Sequence, residues 1–483
     1  MEKLGTFRIT GEESLAFARA SGDYNPLHLD PLAARRTQFG HTLIHGVCGT
    51  LRALDIALQH QTAPVTLRNL QVKYSKPVGQ DVDITVYETA CDSGRCLELF
   101  ANDTRCQIIE LDTGTIAATV PEPARRGDQP QTACRELDIR ACEGLSDAVD
   151  LRPGTTELPA LFPNVCRVLP AGQISSIIAC TEIVGMRCPG LHSVFATLEL
   201  LFPGVVDGSL SSLDFRVTAS DSRINRVVMA VENGFAQGTI EAFFRPPPVR
   251  QAPFTVACDR VAAAEFENQT ALVIGASRGL GEVIAKALAA GGARLMLTYA
   301  SGAAEAESIA QEIGAIRERP ATCQYDVLAP ASSPAFDAFL SNASHIYYLA
   351  SPLIRKGEPG GRDAALFQAY HRFYVDGLAA LLERLRTQRE ANTPLAVFIP
   401  SSVFLESDIK GFGEYIEAKQ AAESFVEGYA QEHPHTHFHA PRLPRLHTDQ
   451  TSGVRGMDPM QTLEIIIDTL HTLYGRQAQP AKD

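Results

Sequence analysis

At 483 residues, 45% hydrophobic and 20% charged, the chain is too long for one core and has the make-up of an ordinary globular protein, with about three domains expected. A formal net charge of −13, with no basic stripe to offset it, disfavours nucleic acid as a partner. No run of about 18 uncharged apolar residues is present, and the opening MEKLGTFRITGEESL is charged from the start, so no membrane span or signal peptide is expected and the protein reads as cytoplasmic.

The first block begins with a helical stretch, EESLAFARASGD (12–23), followed by a loop. A second helix is expected from about Ile44 to Gln59, where apolar residues recur at helical spacing. TLRNLQVKYSKPV (66–78) and DVDITVYETA (81–90) then alternate apolar and polar residues as half-buried strands do. PEPARRGDQPQTA (121–133) reads as a linker. The second block repeats the order, with QISSIIACTEIVG (173–185) as a helix and SVFATLELLF, SLDFRVTAS, NRVVMAV and GTIEAFF as strands. The repeated order suggests a duplicated fold without a duplicated motif. RPPPVRQAP (245–253) is a second linker, because its prolines cannot sustain helix or sheet hydrogen bonding. Beyond it, the buried runs ALVIGAS, ARLMLTY, HIYYLAS and AVFIPSS alternate with helical segments, the mark of a parallel α/β sheet.

The eleven cysteines form no C-x-x-C pair, and Cys48, Cys106, Cys180 and Cys323 sit in or beside apolar segments, so reduced core thiols are expected and no metal site.

In TALVIGASRGLGEVIAKALAAGG, a glycine-rich turn stands between a buried strand and a helix. Gly275, Gly279 and Gly281 would let the backbone turn tightly, approach a pyrophosphate and pack helix on strand. The turn resembles that of the short-chain dehydrogenase/reductase family. Asp326 stands where that family contacts the adenine ring, Tyr415 and Lys419 match its Y-x-x-x-K, and Ser402 lies at its usual distance before the tyrosine, which Ser401 fits less well. The resemblance implies a Rossmann domain holding its cofactor with Gly275, Ser277, Arg278, Gly279, Leu280, Gly281, Thr298, Asp326 and Ala350. Tyrosine and lysine four apart share a helix face, so the ammonium would lower the phenol's pKa, while the phenol protonates a ketone oxygen steadied by Ser402. Arg278, and a second strand ending Leu297-Thr298-Tyr299-Ala300 with no acidic residue, favour NADPH. The chain departs from the family at Ile274, at Leu349-Ala350-Ser351, within PRLPRLHTD, and at Tyr374, which replaces the helix asparagine of the proton relay.

Residues 20–34 read ASGDYNPLHLDPLAA. Asp23 and His28 can share acid and base work on one water, Pro26 stiffens the loop, and Asn25 can bond its own backbone. Gly46, near the start of the following helix, could offer its N–H to a thioester oxygen. The string, with Ala34 six positions after His28, resembles the motif of MaoC-like (R)-specific enoyl-CoA hydratases. The resemblance implies a hot-dog fold in which Asp23 and His28 add or remove water across C2–C3 of an acyl thioester. His192, in CPGLHSVF, lacks a neighbouring acid in sequence and reads as structural.

The expected architecture is therefore an α+β double hot-dog half (a hydratase/dehydratase domain at 1–122 and a degenerate second copy at 134–247) followed by an α/β Rossmann domain at 255–483. The expected activity is reduction of a 3-ketoacyl thioester with NADPH, then dehydration to the 2-enoyl form. Hydration followed by oxidation is the alternative, as is a hydratase whose Rossmann part only binds nucleotide; an acyl-binding protein without catalysis is the third option. The acyl carrier, coenzyme A or a carrier protein, is left open, as is a homodimer.

Overall fold

The computed structural model describes residues 1–91, 94–115, 122–123, 133–204, 208–331, 333–357, 361–390, 392–407, 409–453 and 458–474. The expected linker at 121–133 lies outside these apart from Glu122, Pro123 and Ala133. The chain divides into two compact units, Met1–Pro247 and Pro248–Asp483.

In the first unit, ten strands form one sheet among the described residues: β1 (Glu2–Phe7), β2 (Val65–Tyr74), β3 (Ile84–Cys91), β4 (Gly94–Ala101), β5 (Thr104–Thr115), β6 (Ser146–Asp150), β7 (Ser193–Leu201), β8 (Ser212–Asp221), β9 (Arg226–Glu232) and β10 (Gln237–Phe244). Their order is β1-β3-β4-β5-β2-β7-β10-β9-β8-β6. The segments expected as two hot-dog domains thus share a sheet, because β2 pairs antiparallel with β7 from Asn69↔Leu201 to Lys73↔Thr197. Each half wraps a buried helix, Gly46–Ala57 in the first and Ala171–Glu182 in the second. Eleven of the twelve residues of the second helix are buried, and small side chains let it fit against the curved sheet. Gly172 is one such place, since a Cβ there would meet the Phe235 ring at 2.5 Å.

The first helix, Gly11–Ser21, starts at a capping box in which Thr10 and Glu13 satisfy each other's backbone N–H groups. It ends at Gly22, whose φ of 80° is the left-handed conformation glycine adopts without strain. That stop delivers Asp23 immediately after the helix. Pro26–Leu29, expected as loop, forms a single helical turn capped by Asn25, whose side chain accepts from Leu27 N at 3.0 Å.

In the second unit, β11 (Thr270–Ile274), β12 (Arg294–Tyr299), β13 (Ala321–Gln324), β14 (His345–Tyr348), β15 (Leu395–Phe398) and β17 (Thr436–His439) form a six-stranded sheet in the order β13-β12-β11-β14-β15-β17. Every pairing is parallel. β16 (Ser401–Ser402) pairs separately with β18 (Arg442–Leu443). Helices cover both faces, with Ala287, Leu288 and Ile466 in the core on one side and Leu378, Leu381 and Tyr415 on the other. The order reverses between β11 and β14, which opens a crevice beyond their C-terminal ends. The proline-rich segment 245–253 has no regular structure, yet Arg245, Val249, Gln251 and Ala252 within it are buried. The boundary between the two units falls inside it.

No described helix is long and apolar enough to cross a membrane. Cys48, Cys106 and Cys180 are buried free thiols, as expected, whereas Cys323 is only partly buried because β13 is the edge strand.

Candidate active sites

Asp23 is 1% exposed and reaches the site from the end of the first helix. Its Oδ2 accepts from Thr181 Oγ1 at 2.7 Å, its Oδ1 accepts from Asn25 N at 3.1 Å, and its carbonyl oxygen takes a hydrogen bond of 3.0 Å from His45 Nε2. His28 turns Nδ1 to the Leu43 carbonyl at 2.9 Å. That partner makes Nδ1 the protonated nitrogen of the neutral ring and leaves Nε2 as the base. The His28 and His45 rings stack at 3.9 Å. One ligand-type atom each from Asp23, His28 and His45 falls within 4.8 Å of the others. That spacing would suit a cation as well as a shared water, although His45 Nε2 is already given to the Asp23 carbonyl oxygen.

Burial controls the titration of all three. It pushes the Asp23 carboxyl above its ordinary range, with His28 and Thr181 opposing, and it lowers His28, with Asp23 opposing. His45 is held well below its ordinary value for the same reason. A protonatable carboxyl beside a neutral imidazole is the division an acid and a base require.

The second half, expected as a degenerate copy, supplies part of this site. Thr181 comes from its central helix, and Gly185 leaves room for the carboxylate, since a Cβ there would lie 2.2 Å from Asp23 Oδ1. Asn25 sends its amide nitrogen to the carbonyls of Gly185 at 2.9 Å and Gly190 at 3.1 Å. Gly22 passes so close that a Cβ would meet Glu182 Oε2 at 2.4 Å, and Glu182 is held by Arg152 and Arg187. Sequence reasoning missed Thr181, Gly185 and His45. His192 is outside the site and finds a distant acid, with Nε2 3.2 Å from Glu136 Oε1.

Asp23 and His28 open on a cavity of about 160 Å³ whose wall includes Gly46, Tyr74, Val184, Leu99 and Phe195. Gly46 is the first residue of its helix, and a Cβ would lie 2.7 Å from the Tyr74 ring. Ala34 is buried nearby with Leu27 and Leu43.

In the second unit, the turn after β11 fits a dinucleotide on its own geometry. Gly275 has φ 82° and approaches Ala350, where a Cβ would lie 3.1 Å from the backbone nitrogen; a Cβ on Gly281 would lie 2.0 Å from Gly275 O. The helix Gly279–Ala290 starts there, with Leu280 in its first turn and the nearly buried Ser277 just before it. Thr298 is fully buried beneath the turn, where Oγ1 accepts from Gly275 N and donates to Val273 O, so it supports the cradle instead of reaching a cofactor. Arg278 forms an ion pair with Asp449 at 3.3 Å. Asp326 accepts from Leu328 N at 2.9 Å and so closes its own turn.

Tyr415 and Lys419 lie on the helix Gly413–Glu432, and Tyr415 is hydrogen-bonded to Ser402. Ser401 instead donates to Glu423. The expected lowering of the Tyr415 phenol by Lys419 is not found. Burial raises the phenol, with Ser402 opposing, while Lys419 Nζ lies 6.0 Å from its ring centroid and donates to Pro400 O at 2.8 Å. Burial in turn lowers Lys419 to about 7, against the attraction of Glu423. Tyr374 is 2% exposed and presents its ring 3.9 Å from Lys419 Nζ, while its hydroxyl meets Ser351 Oγ at 2.8 Å. The two departures from the family pattern at Ser351 and Tyr374 therefore touch.

The family described as MaoC like domain matches residues 4–102, and the family described as short chain dehydrogenase matches residues 269–345. An NADPH-dependent aldehyde reductase-like protein, chloroplastic, of Arabidopsis thaliana is 31% identical over 181 residues, covering 34% of this chain and 67% of that protein. The peroxisomal hydratase-dehydrogenase-epimerase of Saccharomyces cerevisiae is 31% identical over 107 residues, which are 22% of this chain and only 11% of the yeast protein. Among solved structures, FolM alternative dihydrofolate reductase 1 of Brucella suis, in complex with NADP, is 20% identical with a TM-score of 0.36, covering 44% of this chain and 92% of its own.

Proposed function

Because the chain belongs to the short-chain dehydrogenase family through its second unit and carries a MaoC-like domain in its first, we propose that it reduces a 3-ketoacyl thioester with NADPH and dehydrates the 3-hydroxyacyl product to the 2-enoyl thioester. The observation that carries this reading is the Asp23–His28 pair, a raised carboxyl beside a neutral imidazole on the wall of a largely apolar cavity.

In the dehydration, His28 Nε2 takes a proton from C2 and the Asp23 carboxyl delivers one to the departing 3-hydroxyl. The Gly46 N–H, at a helix start, stabilises charge on the thioester oxygen. Thr181 and the Asn25 backbone hold the carboxyl in place through the cycle.

In the reduction, the cradle of Gly275, Ser277, Gly279, Leu280 and Gly281 would hold the pyrophosphate, and Arg278, paired with Asp449 at the turn, would be the cation for a 2′-phosphate. Asp326 and Ala350 would complete the cofactor's contacts, on the family resemblance. Bound NADPH supplies the hydride. Tyr415 protonates the ketone oxygen while Ser402 donates to it, and Lys419, on the same helix face, would hold the nicotinamide ribose.

The opposite direction, hydration then oxidation, is supported by likeness to the yeast hydratase-dehydrogenase-epimerase. NADPH is favoured by the lack of an acidic residue at Leu297-Thr298-Tyr299-Ala300. The substrate is an acyl thioester, on coenzyme A or a carrier protein, and the site of action is proposed as cytoplasmic. Stopped-flow absorbance with acetoacetyl thioester should show oxidation of NADPH, and faster than of NADH. An unchanged cofactor signal would overturn the reductase half.

A further inference from the structure

The wall of the cavity beside Asp23 and His28 carries a buried amide on a strand face that is otherwise hydrocarbon. Gln107 shares its face of β5 with Ile109 and Leu111, which are both essentially inaccessible. In register it stands between Tyr74 of β2 and Leu99 of β4. The β4–β5 ladder skips Cys106, so Cys106 and Gln107 both line the cavity, alongside Ile84 and Leu99. Gln107 is 5% exposed. Its Nε2 donates to the Thr50 hydroxyl, which is 3.3 Å from the Tyr74 hydroxyl. Its Oε1 makes no hydrogen bond among the described residues. Gly49 on the facing helix leaves the room for this amide, since a Cβ there would lie 3.3 Å from Oε1.

An acceptor on a cavity wall loses its water when an alkyl tail fills the cavity, and a site built around one discriminates against ligands that cannot replace that bond. We propose that the acyl tail bound here carries a hydroxyl beyond C3 that donates to Gln107 Oε1, so that the substrates are hydroxylated acyl thioesters in preference to plain alkyl ones. The assignment deepens the dehydratase reading above and rests on it. One Nε2 hydrogen is given to Thr50, and Oε1 is the acceptor left to pair with a donating hydroxyl.

The test uses the full chain and two N-acetylcysteamine thioesters that lack a 3-hydroxyl and so cannot be dehydrated, hexanoyl and freshly prepared 5-hydroxyhexanoyl, with binding read by calorimetry and lactone formation followed in a control without protein. Dehydration of 3-hydroxyhexanoyl and 3,5-dihydroxyhexanoyl thioesters is read in parallel as kcat/KM. The wild type should favour the hydroxylated member of each pair by about tenfold or more. Gln107→Met, close in volume, should erase or reverse both ratios, and Gln107→Leu serves the same purpose if the first variant loses its fold by circular dichroism. Equal binding of the two thioesters by the wild type overturns the proposal, as does a ratio unmoved in both variants. Preferential binding of the hydroxylated thioester without turnover of either substrate supports the pocket assignment and refutes the dehydratase reading.

Discussion

The two sites of this chain are assembled in opposite ways. Asp23 and His28 lie five residues apart, yet the groups that fix Asp23 and Asn25 (Thr181, Gly185 and Gly190) come from the other half of a duplicated fold, about 160 residues away. Ser402, Tyr415 and Lys419 come from one strand end and one helix, and the departures around them, Ser351 and Tyr374, meet each other directly. A hot-dog half carrying a complete motif therefore still depends on a partner half that has none, whereas the arrangement of Ser402, Tyr415 and Lys419 is largely local. The second half supplies part of the surface on which the Asp23–His28 pair is held.

Exchange of single residues separates the two sites most sharply. Asp23→Asn should lower hydration of a 2-enoyl thioester by about 10²–10⁴ and leave NADPH oxidation untouched, while Tyr415→Phe should do the reverse and retain cofactor binding. Steady-state rates and cofactor titration of both variants check this, and any cross-effect would undo the separation.

Thr181→Val tests the dependence on the second half. Loss of a hydrogen bond to a carboxylate should cost roughly 1.5–3 kcal/mol of transition-state stabilisation, about ten- to a hundredfold in kcat, with KM little changed and reduction unaffected. A shift confined to KM would mean that Thr181 acts only on the cavity wall.

Tyr374→Phe keeps a ring beneath Lys419 and removes the link to Ser351. A fall of only a few-fold in reduction is expected, because the charge–ring contact survives. Collapse of the rate would place the Tyr374 hydroxyl in the proton path itself.

A separate effect concerns stability and not rate. Lys419 titrates at about 7 in the fold against 10.5 ordinarily, so between these values the unfolded chain binds more protons and stability rises with pH. Lys419→Met removes that buried cation. Its advantage over wild type in urea unfolding should be greatest below about pH 7 and shrink as the pH climbs towards the ordinary lysine value. An advantage independent of pH would contradict the burial of the charge.

Legibility in the sequence follows the range of the interactions. The glycine turn between β11 and its helix, and the helix that ends at Gly22 before Asp23, are set by neighbours in sequence, so pattern reading finds them. The hairpin joining β4 to β5 turns on Asn102 and Asp103, both at positive φ, a local signal that sequence reading passed over. β1 escaped notice because it is a mostly exposed edge strand without alternation. Thr181, His45 and Gln107 were not legible, because their roles depend on how β2 meets β7 and on how the sheet closes over a helix. The buried state of Lys419 was likewise hidden, since Y-x-x-x-K fixes a helix face but not its dielectric.

The central claim is that one chain carries both chemistries in sequence. Mass analysis of a 3-ketoacyl thioester incubated with NADPH tests it most directly when wild type, Asp23→Asn and Tyr415→Phe are run side by side. Wild type should yield the 2-enoyl thioester, Asp23→Asn should stop at the 3-hydroxyacyl thioester, and Tyr415→Phe should leave the substrate unreacted. A 2-enoyl product from Asp23→Asn, or no 3-hydroxyacyl thioester from any of the three, would contradict it.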